Sequence, residues 1–181
     1  MTKMIVMDLD GTLLDDNWHI SSYTLSVLKA CQKRGIIIAV ASARSMTTAE
    51  SIIDLVQPDF SILGDGSSIY DKNKIVIHNE LFWLEGFAEI DYDFMETLNL
   101  DKMNAVIILS DIQKIDLSDV VAFGDGFNDI GMLCNCGTGV AMDNASESVK
   151  KCAKYTCGSN NEDGIAYWIQ ENILSGAQTG V

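Results

Sequence analysis

The chain has 181 residues, 48% of them apolar and 21% charged, the balance of one globular domain and not of a disordered chain. Twelve Lys and Arg stand against 26 Asp and Glu, a formal charge of −14, which disfavours nucleic acid and anionic membranes as partners and would attract divalent cations. No window holds the ~18 consecutive apolar residues of a membrane span, and five scattered cysteines (Cys31, Cys134, Cys136, Cys152, Cys157) form neither a disulfide framework nor a zinc pattern, so a cytoplasmic protein with reduced thiols is expected.

Met4-Ile5-Val6-Met7 is apolar at every position, too short for a helix, and stops at Asp8; it reads as a strand buried on both faces. Residues 20–34 space Leu25, Leu28 and Cys31 as a helix does, with Gly35 as the stop. Ile36–Val40 is a second buried strand, Met46–Val56 a second helix ended by Pro58, and Phe60–Leu63 a third strand. Strand and helix alternate as in right-handed βαβ units.

The middle breaks the alternation. Ile69-Tyr70 and Ile75-Val76-Ile77 flank a polar turn and predict a small hairpin. Leu84, Phe87, Ala88, Phe94, Met95 and Leu98 fall at roughly helical spacing, and the aromatic stretch Phe82–Phe94 suits a core or oligomer-interface stripe. A helix over Met103–Gln113 with Asp101 as N-cap, a strand over Val120–Phe123, a helix over Asp129–Cys134, a strand over Gly139–Met142 and helices over Ser146–Lys154 and Glu162–Ile173 complete the chain. The expected fold is a Rossmann-like three-layer α/β/α core with a mostly parallel sheet, one domain over 1–174 with a reduced insert at about 71–101, followed by a loose tail at 175–181.

In an open parallel sheet, ligands gather where strands end at their carboxyl edge. Collected there are Asp8, Asp10, Gly11 and Thr12; Ser42 and Arg44; Lys102; and Asp125, Asn128 and Asp129. Carboxylates brought to one edge repel one another unless a divalent cation neutralises them, and oxygen ligands without histidine or thiolate suit Mg²⁺. Asp8 and Asp10, two apart at a strand end before Gly11, allow one carboxylate to attack phosphorus while the other serves as acid and then base. A lone Asp-x-Asp is ordinarily a solvated turn; the joint pattern is what points to phosphoryl chemistry, with Lys102, Ser42 and Thr12 as donors to phosphate. His19 and His78 have no partner spacing and receive no role.

These residues carry a resemblance. Asp8-Leu9-Asp10-Gly11-Thr12-Leu13-Leu14 resembles the first motif of the haloacid dehalogenase superfamily phosphatases, and Gly124-Asp125-Gly126-Phe127-Asn128-Asp129 the fourth. Ser42 resembles the second-motif hydroxyl and Lys102 the third-motif lysine, while Val140–Ala145 and Asn161–Gly164 are similar to the C-terminal half of the Cof-type subfamily. The resemblance implies Asp8 as the phosphorylated nucleophile, Asp10 as acid/base, and Asp8, the Asp10 backbone carbonyl and Asp125 as Mg²⁺ ligands, with Asp129 as a supporting or alternate metal carboxylate. It further implies that Thr12, Ser42, Ala43, Lys102 and Asn128 contact the phosphate of a small phosphomonoester such as a sugar phosphate. An acidic residue at position 10 favours phosphatase over dehalogenase chemistry.

Three departures stand out: Ser42-Ala43 in place of Thr-Gly, Met103 after the lysine in place of glycine, and Asp65-Gly66 in place of Asn-Gly. Such proteins also carry a large α/β cap between the second and third motifs, and here only 71–102 spans that interval. An open crevice is expected, covered by a neighbouring subunit or by the substrate itself, or left by removal of the segment. Two other readings remain: a catalytically weak phosphate-binding or interaction module, and a receiver domain with Asp65 as acceptor, which leaves the Asp125–Asp129 cluster without a purpose.

Overall fold

All four residues of β1 (Met4–Met7) are buried because helices cover both faces of the strand. Ile5 and Met7 belong to one apolar cluster, and Met4 and Val6 to a second on the other face. In the computed structural model, which describes residues 1–80 and 101–175, β1 pairs in parallel with β2 (Ile37–Ala41) on one side and β6 (Val120–Gly124) on the other. Beyond β2 lie β3 (Phe60–Leu63), β4 (Ser68–Asp71) and β5 (Val76–Asn79); beyond β6 lie β7 (Thr138–Ala141) and β8 (Tyr155–Thr156). The order is β5-β4-β3-β2-β1-β6-β7-β8, parallel except that β4 pairs antiparallel with both β3 and β5.

Helices fill the two outer layers. The face holding Ile5 and Met7 packs against α1 (Ser22–Lys33), α2 (Met46–Val56) and residues of the later α6 (Gly164–Ile169). The opposite face packs against α3 (Lys102–Gln113) and α4 (Ile130–Asn135). The caps are those the sequence encodes: Ser21 accepts from the Thr24 amide, and Asp101 from the Met103 amide at 2.7 Å. Cys31, Cys136 and Cys157 are buried in this core, and burial pushes their thiols up to about 11, 12 and 12. Among the described residues no helix is long and apolar enough to cross a membrane.

The predicted hairpin forms, but as the edge of the core sheet: β4 pairs with β3 through Ile62–Ile69 and Leu63–Ser68. Ile69 is fully buried, which ties the hairpin to the core. The remaining insert, with the aromatic stretch and the 84–98 stripe, lies outside the described residues, as does the tail beyond Ser175. The C-terminal helices are shorter than predicted. Ser146–Lys154 contracts to α5 (Glu147–Lys150), and β8 follows, pairing with β7. The expected helix over Glu162–Ile173 is broken at Asp163, which adopts a left-handed conformation (φ 55°) and leaves α6 to begin at Gly164. The stretch Gln170–Leu174 continues as a π-helical turn.

Candidate active site

The sheet reverses its winding direction at β1, since β2 lies on one side and β6 on the other. That switch point opens a crevice at the carboxyl ends of the strands. β1 delivers Asp8 there, and β6 ends at Gly124, so Asp125 follows next to it. Gly11 turns the chain back with φ +75°; a Cβ at this position would stand 2.5 Å from Asp125 Oδ2. The Thr12 hydroxyl donates to Asp125 Oδ1 at 2.7 Å, joining the first and fourth motifs. Gly124 permits a second close approach, because its Cβ would fall 2.4 Å from that of Asp129.

One oxygen each from Asp8, Asp125 and Asp129 lie within 4.8 Å of one another. Lys102 enters the cluster from the first turn of α3 and is 1% exposed. Its Nζ donates to Asp8 Oδ1 at 2.6 Å and to Asp129 Oδ1 at 2.7 Å. Asp129 Oδ2 accepts from the Asp125 and Gly126 amides at 3.0 and 2.9 Å. Asp129 is thereby committed on both oxygens, and it holds the Asp125 loop and Lys102 in place. Asp8 Oδ2 and Asp125 Oδ2 carry no hydrogen bond among the described residues.

Three carboxylates against one ammonium leave a surplus of negative charge in a buried place. Burial is the main cause that raises the Asp8 carboxyl, with Asp129 and Asp125 adding to it and Lys102 only partly opposing; it reaches about 7. Asp125 is raised as well, first by burial. Burial alone would lower the Lys102 ammonium, but Asp8 and Asp129 outweigh it and raise it. A metal ion fits this donor set: hard oxygens, two of them uncommitted, and a charge deficit that a cation would fill.

Asp10 lies outside the cluster. Its carboxylate is gripped by Arg44, with Nη2 to Oδ1 at 2.5 Å and Nε to Oδ2 at 2.8 Å, a two-pronged contact. The Asp10 side chain is therefore not among the clustered metal-ligating oxygens. Arg44 also stands 5.8 Å from the ring centre of Trp18. It is the residue whose part the sequence left unassigned, although it sits two positions past Ser42 at the end of β2. Ser42 is buried, and its hydroxyl accepts from the Arg44 amide at 3.1 Å. Ala43 is exposed at the same strand end. Asn128 donates to Asp65 at 2.9 Å, so both sit on the rim beside Lys102. Thr12, expected to face phosphate, gives its proton to Asp125 in this arrangement and orients that carboxylate.

A family model described as haloacid dehalogenase-like hydrolase matches residues 5–95 and 89–169. The chain belongs to this family. A Bacillus subtilis 5-amino-6-(5-phospho-D-ribitylamino)uracil phosphatase is 24% identical over 239 aligned positions, covering 95% of this chain and 96% of that one. An Escherichia coli pyridoxal phosphate phosphatase is 48% identical over 62 residues, 34% of this chain and 23% of its own. A Bacteroides thetaiotaomicron haloacid dehalogenase-like hydrolase has the same fold, with TM-score 0.81 at 21% identity, covering 94% of this chain and 99% of that chain. The expected enzyme class, a hydrolase of phosphoric monoesters, is the class of the named phosphatase relatives. The aligned length of 239 exceeds the 181 residues present here, so the B. subtilis relative carries a stretch with no counterpart. The two family-model segments meet at 89–95, inside the interval where the sequence resemblance puts the cap.

Proposed function

We propose that the protein is a Mg²⁺-dependent phosphatase that hydrolyses small phosphorylated metabolites through an aspartyl-phosphate on Asp8. The observation that carries this reading is the convergence of Asp8, Asp125 and Asp129 around Lys102 at the switch point of the sheet. Asp8, Asp125 and the Asp10 backbone carbonyl would hold the metal, with Asp129 supporting Asp125 from behind. When bound, the ion supplies charge neutralisation at the phosphoryl oxygens.

The chain's own groups then divide the work. Asp8, ionised, attacks phosphorus in line with the departing oxygen. Asp10 gives that oxygen its proton, and later takes one from the water that attacks the phosphorus of the Asp8 ester, releasing phosphate and restoring the Asp8 carboxylate. The Lys102 ammonium, the Ser42 hydroxyl, the Ala43 amide and Asn128 offer donors to the transferred group, with Thr12 fixing Asp125. Asp10 is held as an acceptor by Arg44, so the acid step requires that grip to loosen as substrate enters. With so short an insert, an open crevice discriminates weakly among leaving groups unless a second subunit or the substrate covers it.

The test is hydrolysis of p-nitrophenyl phosphate with Mg²⁺, compared with Asp8→Asn. Turnover in the parent and none in the variant is expected. Mg²⁺-dependent phosphate binding without turnover would assign the protein instead to the weak phosphate-binding modules.

A further inference from the structure

The loop carrying Asp10 and Thr12 is held from outside the site by a second chain segment. Asn144 Nδ2 donates to the Gly11 carbonyl at 2.8 Å, and Asn144 Oδ1 accepts from the Asn160 amide at 3.1 Å. Asn160 Nδ2 forks to the Leu14 carbonyl at 3.0 Å and to Asp16 Oδ1 at 3.1 Å. Asn161 exchanges two further bonds with Asp16, through Oδ1 at 3.1 Å and Nδ2 at 3.0 Å. Asp163 accepts from the Ser21 and Thr24 hydroxyls at 2.5 and 2.8 Å. The two partners are more than 130 residues apart in the chain, so no local turn explains the contact. Asn160 is buried, and among the described residues its own Oδ1 has no partner.

We propose that Asn144 and Asn160 are positioning residues for the proton transfer assigned to Asp10, and this rests on the phosphatase reading above. Their side-chain amides are spent on the chain itself. They fix the backbone that follows Asp10, at Gly11 and Leu14, while among the described residues Arg44 alone restrains the carboxylate. With the backbone pinned, Asp10 can exchange Arg44 for the leaving oxygen by side-chain rotation; with the backbone loose, the acid drifts out of reach. Asp8 follows directly on β1 and keeps Lys102, so attack on phosphorus is unaffected.

That separation sets the experiment. Phenyl phosphate needs a proton on its departing oxygen far more than p-nitrophenyl phosphate does, and the two are nearly alike in shape. kcat/KM, which reports the first chemical step, is measured for both with Mg²⁺ in the parent, Asn160→Ala and Asn144→Asp. The last variant keeps an acceptor for the Asn160 amide and sets a carboxylate oxygen against the Gly11 carbonyl in place of the donor. We expect phenyl phosphate to lose about ten-fold or more and p-nitrophenyl phosphate about two-fold or less. Amide hydrogen exchange over residues 10–19 should quicken in both variants while that of β1 stays unchanged. Equal losses on the two substrates, no loss on either, or unchanged exchange over 10–19 would overturn the proposal. A parent that turns over neither substrate above Asp8→Asn would instead bring down the phosphatase reading, and the positioning role with it.

Discussion

Lys102 at the centre of the sheet and Lys74 at its edge each hold two carboxylates. Lys102 pairs with Asp8 and Asp129 at 2.6 and 2.7 Å, buried with both partners. Lys74, in the turn between β4 and β5, pairs with Glu50 and Asp54 of α2 at 2.9 and 2.7 Å, in solvent. The geometry is nearly the same and the physics is not. At the edge, water and salt screen the charges, and the pairs add little to stability. At the centre, removing the cation strands carboxylates that are largely buried from solvent. An arrangement that keeps a third acid, Asp125, beside such a pair is poor architecture for stability alone, which is the physical argument for chemistry at this point.

The largest contrast should come from replacing the two lysines in parallel. Lys102→Met is expected to abolish turnover and to destabilise the protein at pH 8 by about 3 kcal/mol or more, read from denaturant unfolding. A loss no greater than that of an ordinary surface substitution would erase the contrast. Asp8→Asn should also abolish turnover, yet raise the melting temperature of the metal-free protein at pH 8, because it removes a buried charge that the site cannot balance; a lower melting temperature would contradict the charge surplus.

A pH series sharpens the same point. Asp8 is protonated in both folded and unfolded chains below about 4. As pH rises from its ordinary value of 3.8 to about 7, the unfolded chain releases the proton while the folded one keeps it, so metal-free stability falls across that window. Mg²⁺ competes with that proton, so the rise in melting temperature on adding Mg²⁺ should be larger at pH 8 than at pH 5. Equal shifts at both pH values would show that the ion is not meeting Asp8. The smallest effect belongs to the edge: Lys74→Met should leave turnover unchanged and shift the melting temperature barely, with even that shift vanishing at high salt.

The sequence was most legible where one physical rule acted alone. Apolar runs, interrupted by Ser61 in β3, place β1, β2, β3 and β6 to within a residue or so, because a strand covered on both faces is mostly apolar. Asp8, Asp125, Asp129 and Lys102 were predicted together, since acidic residues after successive strands share one edge. Legibility failed for elements set by tertiary contact. Tyr155 and Thr156 are exposed and form β8 only because β7 offers an edge. Asp163 breaks the last helix through a left-handed backbone fixed by Ser21 and Thr24, residues far away in the chain. The Arg44 grip on Asp10 was hidden for a similar reason, because it depends on how closely the ends of β1 and β2 lie.

Asp8 is proposed as the group that accepts phosphate when a divalent cation offsets its neighbours. The most direct measurement is acid quenching of the protein during turnover of p-nitrophenyl phosphate, followed by mass spectrometry of the peptide containing residues 4–14. Phosphate on Asp8, present with Mg²⁺ and absent with a chelator, is the predicted result. Steady turnover with an unmodified Asp8, or turnover that survives chelation, would contradict it.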